Sequence, residues 1–218
     1  MLRESGVSRD HWAERTMKVS GTDADVIDAL VGITPGSPLD AIRARRPEAR
    51  AHAQATYRAL FAPEAPGNVT AQERFAVGGF VAGLHGATAI AVCYAARLAE
   101  SGAPAALKEA VDAAIAEART NGPYGRYPAG PLSREDTAGL SYRVGAATRR
   151  TLGPRLAAAF EHVHMLVFHP RDAAPAALQA LLKAGWSTTD IVTLSQIVAF
   201  LSFQIRVVTG LRILAGRP

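Results

Sequence analysis

Apolar residues recur at helical spacing along most of this 218-residue chain, and few segments alternate as a β-strand does. The punctuation between the apolar runs predicts the elements. A short helix spans Asp23 to Leu30 and ends at Gly32 and Pro35. Ser37-Pro38-Leu39-Asp40 opens the next one, with Ser as cap, Pro at the first helical position and Asp favouring the dipole. Pro47 restarts or kinks a helix that reaches about Phe61, and residues 62–68, with Pro63 and Pro66, form a linker.

Thr70-Ala71-Gln72-Glu73 is a capping box ahead of an apolar run to Leu84. His85-Gly86 breaks the run, and a second helix continues to Glu100. Another covers about 105–119. Residues 121–133, NGPYGRYPAGPLS, are too rich in Pro and Gly for regular structure and exceed the usual connection length. Helices are predicted to resume near Arg134, near Tyr142, and from Pro154 to Phe168. His169-Pro170-Arg171-Asp172 reads as a turn, with Asp172 as a potential cap, before a helix from Pro175 to Ala184. Two last helices are predicted at 188–202 and 203–214. Residues 1–20 form an N-terminal arm, and 21–218 a single all-helical domain.

Residues 70–92 and 187–209 align without gaps. Thr70 and Glu73 meet Ser187 and Asp190, both as capping boxes, and Val81-Ala82 and Leu84 meet Val198-Ala199 and Leu201. Two copies of one helical hairpin about a pseudo-twofold would produce this match.

Composition sharpens the picture. Apolar residues make up 49% of the chain, yet Phe, Tyr and Trp number only seven, five and two, so the core rests on Ala, Leu, Val and Ile. Such a core suits closely approaching helices. A single cysteine, Cys93, excludes an intrachain disulfide and an all-Cys metal site. The start, MLRESGVSRDHWAER, lacks the apolar run of a signal peptide, so the expected compartment is the cytoplasm. Residues 75–96 carry no charge and are long enough to span a bilayer, but Gly78, Gly79, Gly83, Gly86 and His85 fit a buried, broken helix pair better. No membrane partner is expected. The net charge of +5 has its densest cluster at Arg43, Arg45, Arg46 and Arg50. Glu48 interrupts it and no aromatic residues interleave, so it reads as a solvated helix face and not a nucleic-acid stripe.

Candidate chemistry begins at VTAQERFAVGGFVAGLHGATAIAVCYAARL, residues 69–98, which resembles the core hairpin of the carboxymuconolactone decarboxylase and alkylhydroperoxidase D-like family. WSTTDIVTLSQIVAFLSFQIRVVTGLRIL, residues 186–214, looks like the closing hairpin of its peroxidase-related members. The resemblance implies an all-α bundle of alkylhydroperoxidase D-like type, a homo-oligomer, and oxidoreductase activity on a small peroxide or reactive metabolite, an antioxidant role without a cofactor. Its chemistry uses a Glu ahead of a Cys-x-x-Cys-x-x-x-His motif, where one thiolate attacks and the other resolves the sulfenic acid. Gapless from Glu73, the thiols would fall at His85 and Thr88; aligned on the helix break, at Ala87 and Ile90. The dithiol site is therefore absent. What the resemblance leaves as candidate catalytic residues is Glu73, His85, Cys93 and Tyr94.

Three of them have a plainer reading: Glu73 closes a cap, His85 is a satisfied buried group, and Cys93 is a small buried apolar residue whose only nearby cation is Arg97. Two other functions stay open beside the oxidoreductase. One is acid–base chemistry on a small carboxylated lactone, with His85 carrying the proton and an Arg holding the carboxylate. The other is a non-catalytic binding or partner subunit. No metal is expected: His162, His164 and His169 lack the i, i+4 spacing of a helical site. Gln196, Gln204 and Arg206 are polar groups in an otherwise apolar segment, serving an interhelical network or a pocket wall.

Overall fold

The computed structural model describes residues 24–216, and the expected arm at 1–20 lies outside them. Nine α-helices and no strand occur among the described residues, so the protein is an all-α helical bundle. In chain order these are α1 (Val26–Val31), α2 (Pro38–Ala44), α3 (Pro47–Phe61), α4 (Ala71–Leu84), α5 (Thr88–Glu100), α6 (Ala105–Glu117), α7 (Ala146–Phe168), α8 (Pro175–Lys183) and α9 (Thr188–Leu214). By contact they divide into two compact units, residues 59–205 and residues to Arg58 together with those from Arg206. The boundaries fall inside α3 and α9.

The smaller unit is held by charge. Asp25 caps α1 and pairs with Arg43 at 2.8 Å, while Asp28 meets Arg43 at 2.7 Å and also Arg50. Asp40 bonds Arg50 at 2.8 Å. Two of the clustered arginines are thus committed to carboxylates, and Arg45 and Arg46 remain exposed.

In the larger unit the small residues of α4 let its neighbours come close. A Cβ on Gly78 would lie 2.6 Å from the Tyr94 ring of α5, and one on Gly83 2.5 Å from Ile115 of α6. Side chains larger than hydrogen at these two positions would force the helices apart. On the other side Phe80 stacks on Phe160 of α7 with ring centroids 4.1 Å apart. The centre is filled by Phe80, Phe160, Leu98, Leu194 and Leu201, all fully buried.

Three of the predictions differ. The pair of helices predicted at 188–202 and 203–214 is one helix of 27 residues, α9, so the chain does not close on a hairpin and the repeat of two hairpins is not formed. What the two aligned segments share is the start: Ser187 and Asp190 exchange bonds of 3.0 and 3.2 Å, as Thr70 and Glu73 do. The predicted helix near Tyr142 is irregular chain, and the helix predicted from Pro154 begins at Ala146 and passes a kink at Gly153, whose φ of 74° is left-handed. Pro154 lacks the N–H that a straight helix would need there. Helix α9 is long and apolar enough to cross a membrane, and half of its most apolar stretch is buried inside the fold.

Candidate functional site

The four candidates on α4 and α5 do not share one cleft. Glu73 and His85 stand at opposite ends of α4, roughly 18 Å apart at 1.5 Å per residue. Glu73 completes the capping box with Thr70 and receives Arg155 Nε at 2.7 Å. His85, the C-cap of α4, lies 3.3 Å from Ser202 Oγ. Tyr94 is buried and donates to Gln204 Oε1 at 3.0 Å. Cys93 is partly buried; burial pushes its thiol up to about 11, with Arg97 opposing weakly. A thiol held there is almost wholly protonated at neutral pH and is a poor nucleophile.

Arg155 is a residue the sequence pattern does not single out. From α7 it reaches Glu73 at 2.7 Å and Asp190 at 3.3 Å, bonds the Gly185 carbonyl, and lies 4.0 Å over the Trp186 ring. One guanidinium therefore joins the capping boxes of α4 and α9.

The strongest concentration of acid–base groups lies elsewhere, around the C-terminal half of α7. A cavity of about 280 Å³ is lined by Tyr142, Arg143, Glu161, His162, His169 and Asp172, with Met165 and the alanines of α8 closing it. Its size suits a small ligand. The α7 helix ends at Phe168, and Pro170 turns the chain into a short 3-10 segment, Pro170–Asp172. That turn brings Asp172 Oδ2 to 3.0 Å from His169 Nδ1. The Arg126 backbone N–H, at 2.9 Å, and His169 hold the Asp172 carboxyl below the usual carboxylate range. The ring of His169 stacks on Tyr124, centroids 4.9 Å apart, which fixes its plane.

In the neutral ring, a carboxylate on Nδ1 favours the tautomer with the proton on that nitrogen and leaves Nε2 as the acceptor. Among the described residues His169 Nε2 and His162 Nδ1 are buried without a hydrogen-bond partner, and so are both ring nitrogens of His164. Burial lowers His162, and it drives His164 down to about 4, with His169 adding to the effect. Burial thus favours neutral imidazole at His162 and His164, and His169 leaves one ring nitrogen unspent. Tyr142 is pushed well above its ordinary range by burial and by Glu117, so it keeps its proton, which faces the Ala114 carbonyl at 3.4 Å and Glu117 Oε2 at 3.5 Å on α6. Glu161 is already matched by Arg143 at 2.8 Å, by Arg149, and by the Val144 N–H at 3.1 Å. Arg143 stays largely exposed at the rim.

No group of three or more His, Cys, Asp or Glu suited to a metal ion occurs among the described residues. The chain finds no match among protein-family models, curated proteins or solved structures.

Proposed function

We propose that the cavity within residues 141–180 is an acid–base site for a small polar substrate, with His169 as the proton acceptor and Asp172 as its positioning residue. The observation that carries this reading is the His169–Asp172 pair at 3.0 Å, with Nε2 unpartnered, in the wall of a cavity of about 280 Å³. Asp172 holds the tautomer in which Nε2 can take a proton and stabilises the imidazolium that results. Arg143 at the rim can meet a carboxylate. This is the acid–base alternative of the sequence reading, moved from His85 to His169.

The oxidoreductase reading, peroxide handling at Cys93, draws less support. A thiol near 11 is thiolate only about one part in ten thousand at pH 7, and no second thiol exists to resolve a sulfenic acid. Membership of the alkylhydroperoxidase D-like family, a homo-oligomeric state and a cytoplasmic location belong to the proposal, supported by the helical bundle and the residue patterns alone.

The test is proton NMR in heavy water with small lactones, carboxylated lactones, esters and 2-oxo acids, read for turnover or for C–H to C–D exchange. Wild type is expected to act on at least one compound, and His169→Asn to lose about a hundredfold or more. Asp172→Asn should lower kcat with KM little changed. Activity untouched by both changes, or none across the panel, would overturn the reading and favour a binding subunit.

A further inference from the structure

Resting on the acid–base reading of the same cavity, we infer that α8 is a lid over His169. The base nitrogen is the starting point. His169 lines the cavity, yet Nε2 is shielded from solvent and bonded to nothing among the described residues. A base in that position can meet a substrate only if one wall of the cavity moves.

The walls differ greatly in how firmly they are held. Helix α7 runs through the core, with Phe160, Val163 and His164 fully buried. Helix α8 packs chiefly on α7 and buries a single side chain, Leu181. Leu178 and Leu182 are exposed, and toward the cavity α8 presents only Ala176, Ala177 and Ala180. Methyl groups make few contacts, so little is lost when this wall lifts.

Its two ends are built for a swing. At the start, Ala174 is extended and gives α8 no side-chain cap. At the finish, Gly185 takes a left-handed φ of 91°, a conformation glycine adopts without strain, and its carbonyl is held by Arg155, which fixes the pivot. Beyond these ends the chain is fastened. Asp172 is tied to His169 and to the Arg126 N–H. Trp186 is buried, donates its indole N–H to the Arg155 carbonyl at 2.9 Å, and carries the Arg155 guanidinium on its ring. A weakly held helix between two firm anchors moves as one piece. Because Asp172 belongs to the N-terminal anchor, opening leaves the His169–Asp172 pair intact.

The test uses the full chain and needs no substrate. Hydrogen–deuterium exchange by mass spectrometry is measured on wild type and Leu181→Ala, beside labelling of His169 by diethyl pyrocarbonate, which attacks neutral imidazole nitrogen. In wild type, amides of 176–183 are expected to exchange at least tenfold faster than those of 156–168. Leu181→Ala removes the one buried anchor and should speed both α8 exchange and His169 labelling by similar factors, leaving α7 unchanged. Wild-type α8 as slow as α7 would overturn the lid, as would α8 exchange that rises in Leu181→Ala without faster labelling. If that variant loses α7 protection as well, the wild-type comparison decides alone. Failure of the acid–base reading looks different: no turnover by wild type, with exchange and labelling still coupled.

Discussion

His164 has no exposed surface, and neither of its ring nitrogens is satisfied, in a setting of Tyr142, Phe168 and His169. Such a group shapes how the fold answers acid. Unfolded, it takes up a proton near 6.5; folded, it refuses one until about pH 4. The unfolded chain thus binds more protons between those values, and stability falls as pH falls through that window. The contribution is fully present above about 6.5 and gone near 4, and it amounts to roughly 3 kcal/mol at most. His162 is shifted in the same direction and adds to the slope. Urea unfolding at several pH values between 7 and 4 should show the fall, and His164→Phe, which suits the aromatic surroundings, should flatten it. Equal slopes in the two proteins would refute this account. None of this was visible in EHVHMLVFHPRD, where spacing tests ask about metal ligation and say nothing of burial. The His169–Asp172 contact was nearer to hand: the turn is evident in His169-Pro170-Arg171-Asp172, but Asp172 does not cap α8, which starts uncapped at Ala174, and bonds His169 instead.

Helix starts were the most legible features, because capping chemistry is local. Asp25, Ser37, Thr70 and Ser187 each use a side-chain oxygen at a helix start, three of them as the sequence pattern predicts. Helix interiors were harder to read. Gln204 is polar and fully buried within α9, and its Oε1 accepts from Tyr94 across 110 positions of sequence, an interhelical bond of the kind its place in an apolar segment suggests. The alanines of α8 that close the cavity have no sequence signal, since Ala serves equally in any helix face. Arg155, which joins the starts of α4 and α9, gives the prediction at this level. Arg155→Ala strands two carboxylates and uncovers Trp186, and should cost about 2–3 kcal/mol, less than a fully buried pair because the guanidinium is partly exposed. Arg155→Lys should recover little, since one ammonium cannot fork between two carboxylates and stack on an indole. Denaturant midpoints at pH 7 measure both, and a loss under about half a kcal/mol for Arg155→Ala would show that the caps stand without it.

For the whole molecule, the bundle class followed from composition and period, whereas the division into two units did not, because its boundaries cut through α3 and α9 without any break in pattern. Apolar surface remains uncovered: Val92 and the groove of about 420 Å³ between α4, α5 and α6, lined by Gly79, Ala95 and Val111. A second copy would cover such surface, and the expected result of light scattering without detergent is a mass above the 22.9 kDa of one chain. A stable monomer at micromolar concentration would retire the homo-oligomer, and a need for detergent would point instead to a membrane role for α9.

The cavity has one further property. All of its lining lies between Ser141 and Ala180, whereas the bonds from His85 to Ser202 and from Tyr94 to Gln204 join residues 117 and 110 positions apart. Closing a chain segment costs entropy that grows with the logarithm of its length, so a threefold shorter loop is cheaper by about 1 kcal/mol. Contacts of low sequence separation also form sooner during folding. The pocket is therefore a short-range product of the chain, ready to take shape before the distant ends of the bundle have met.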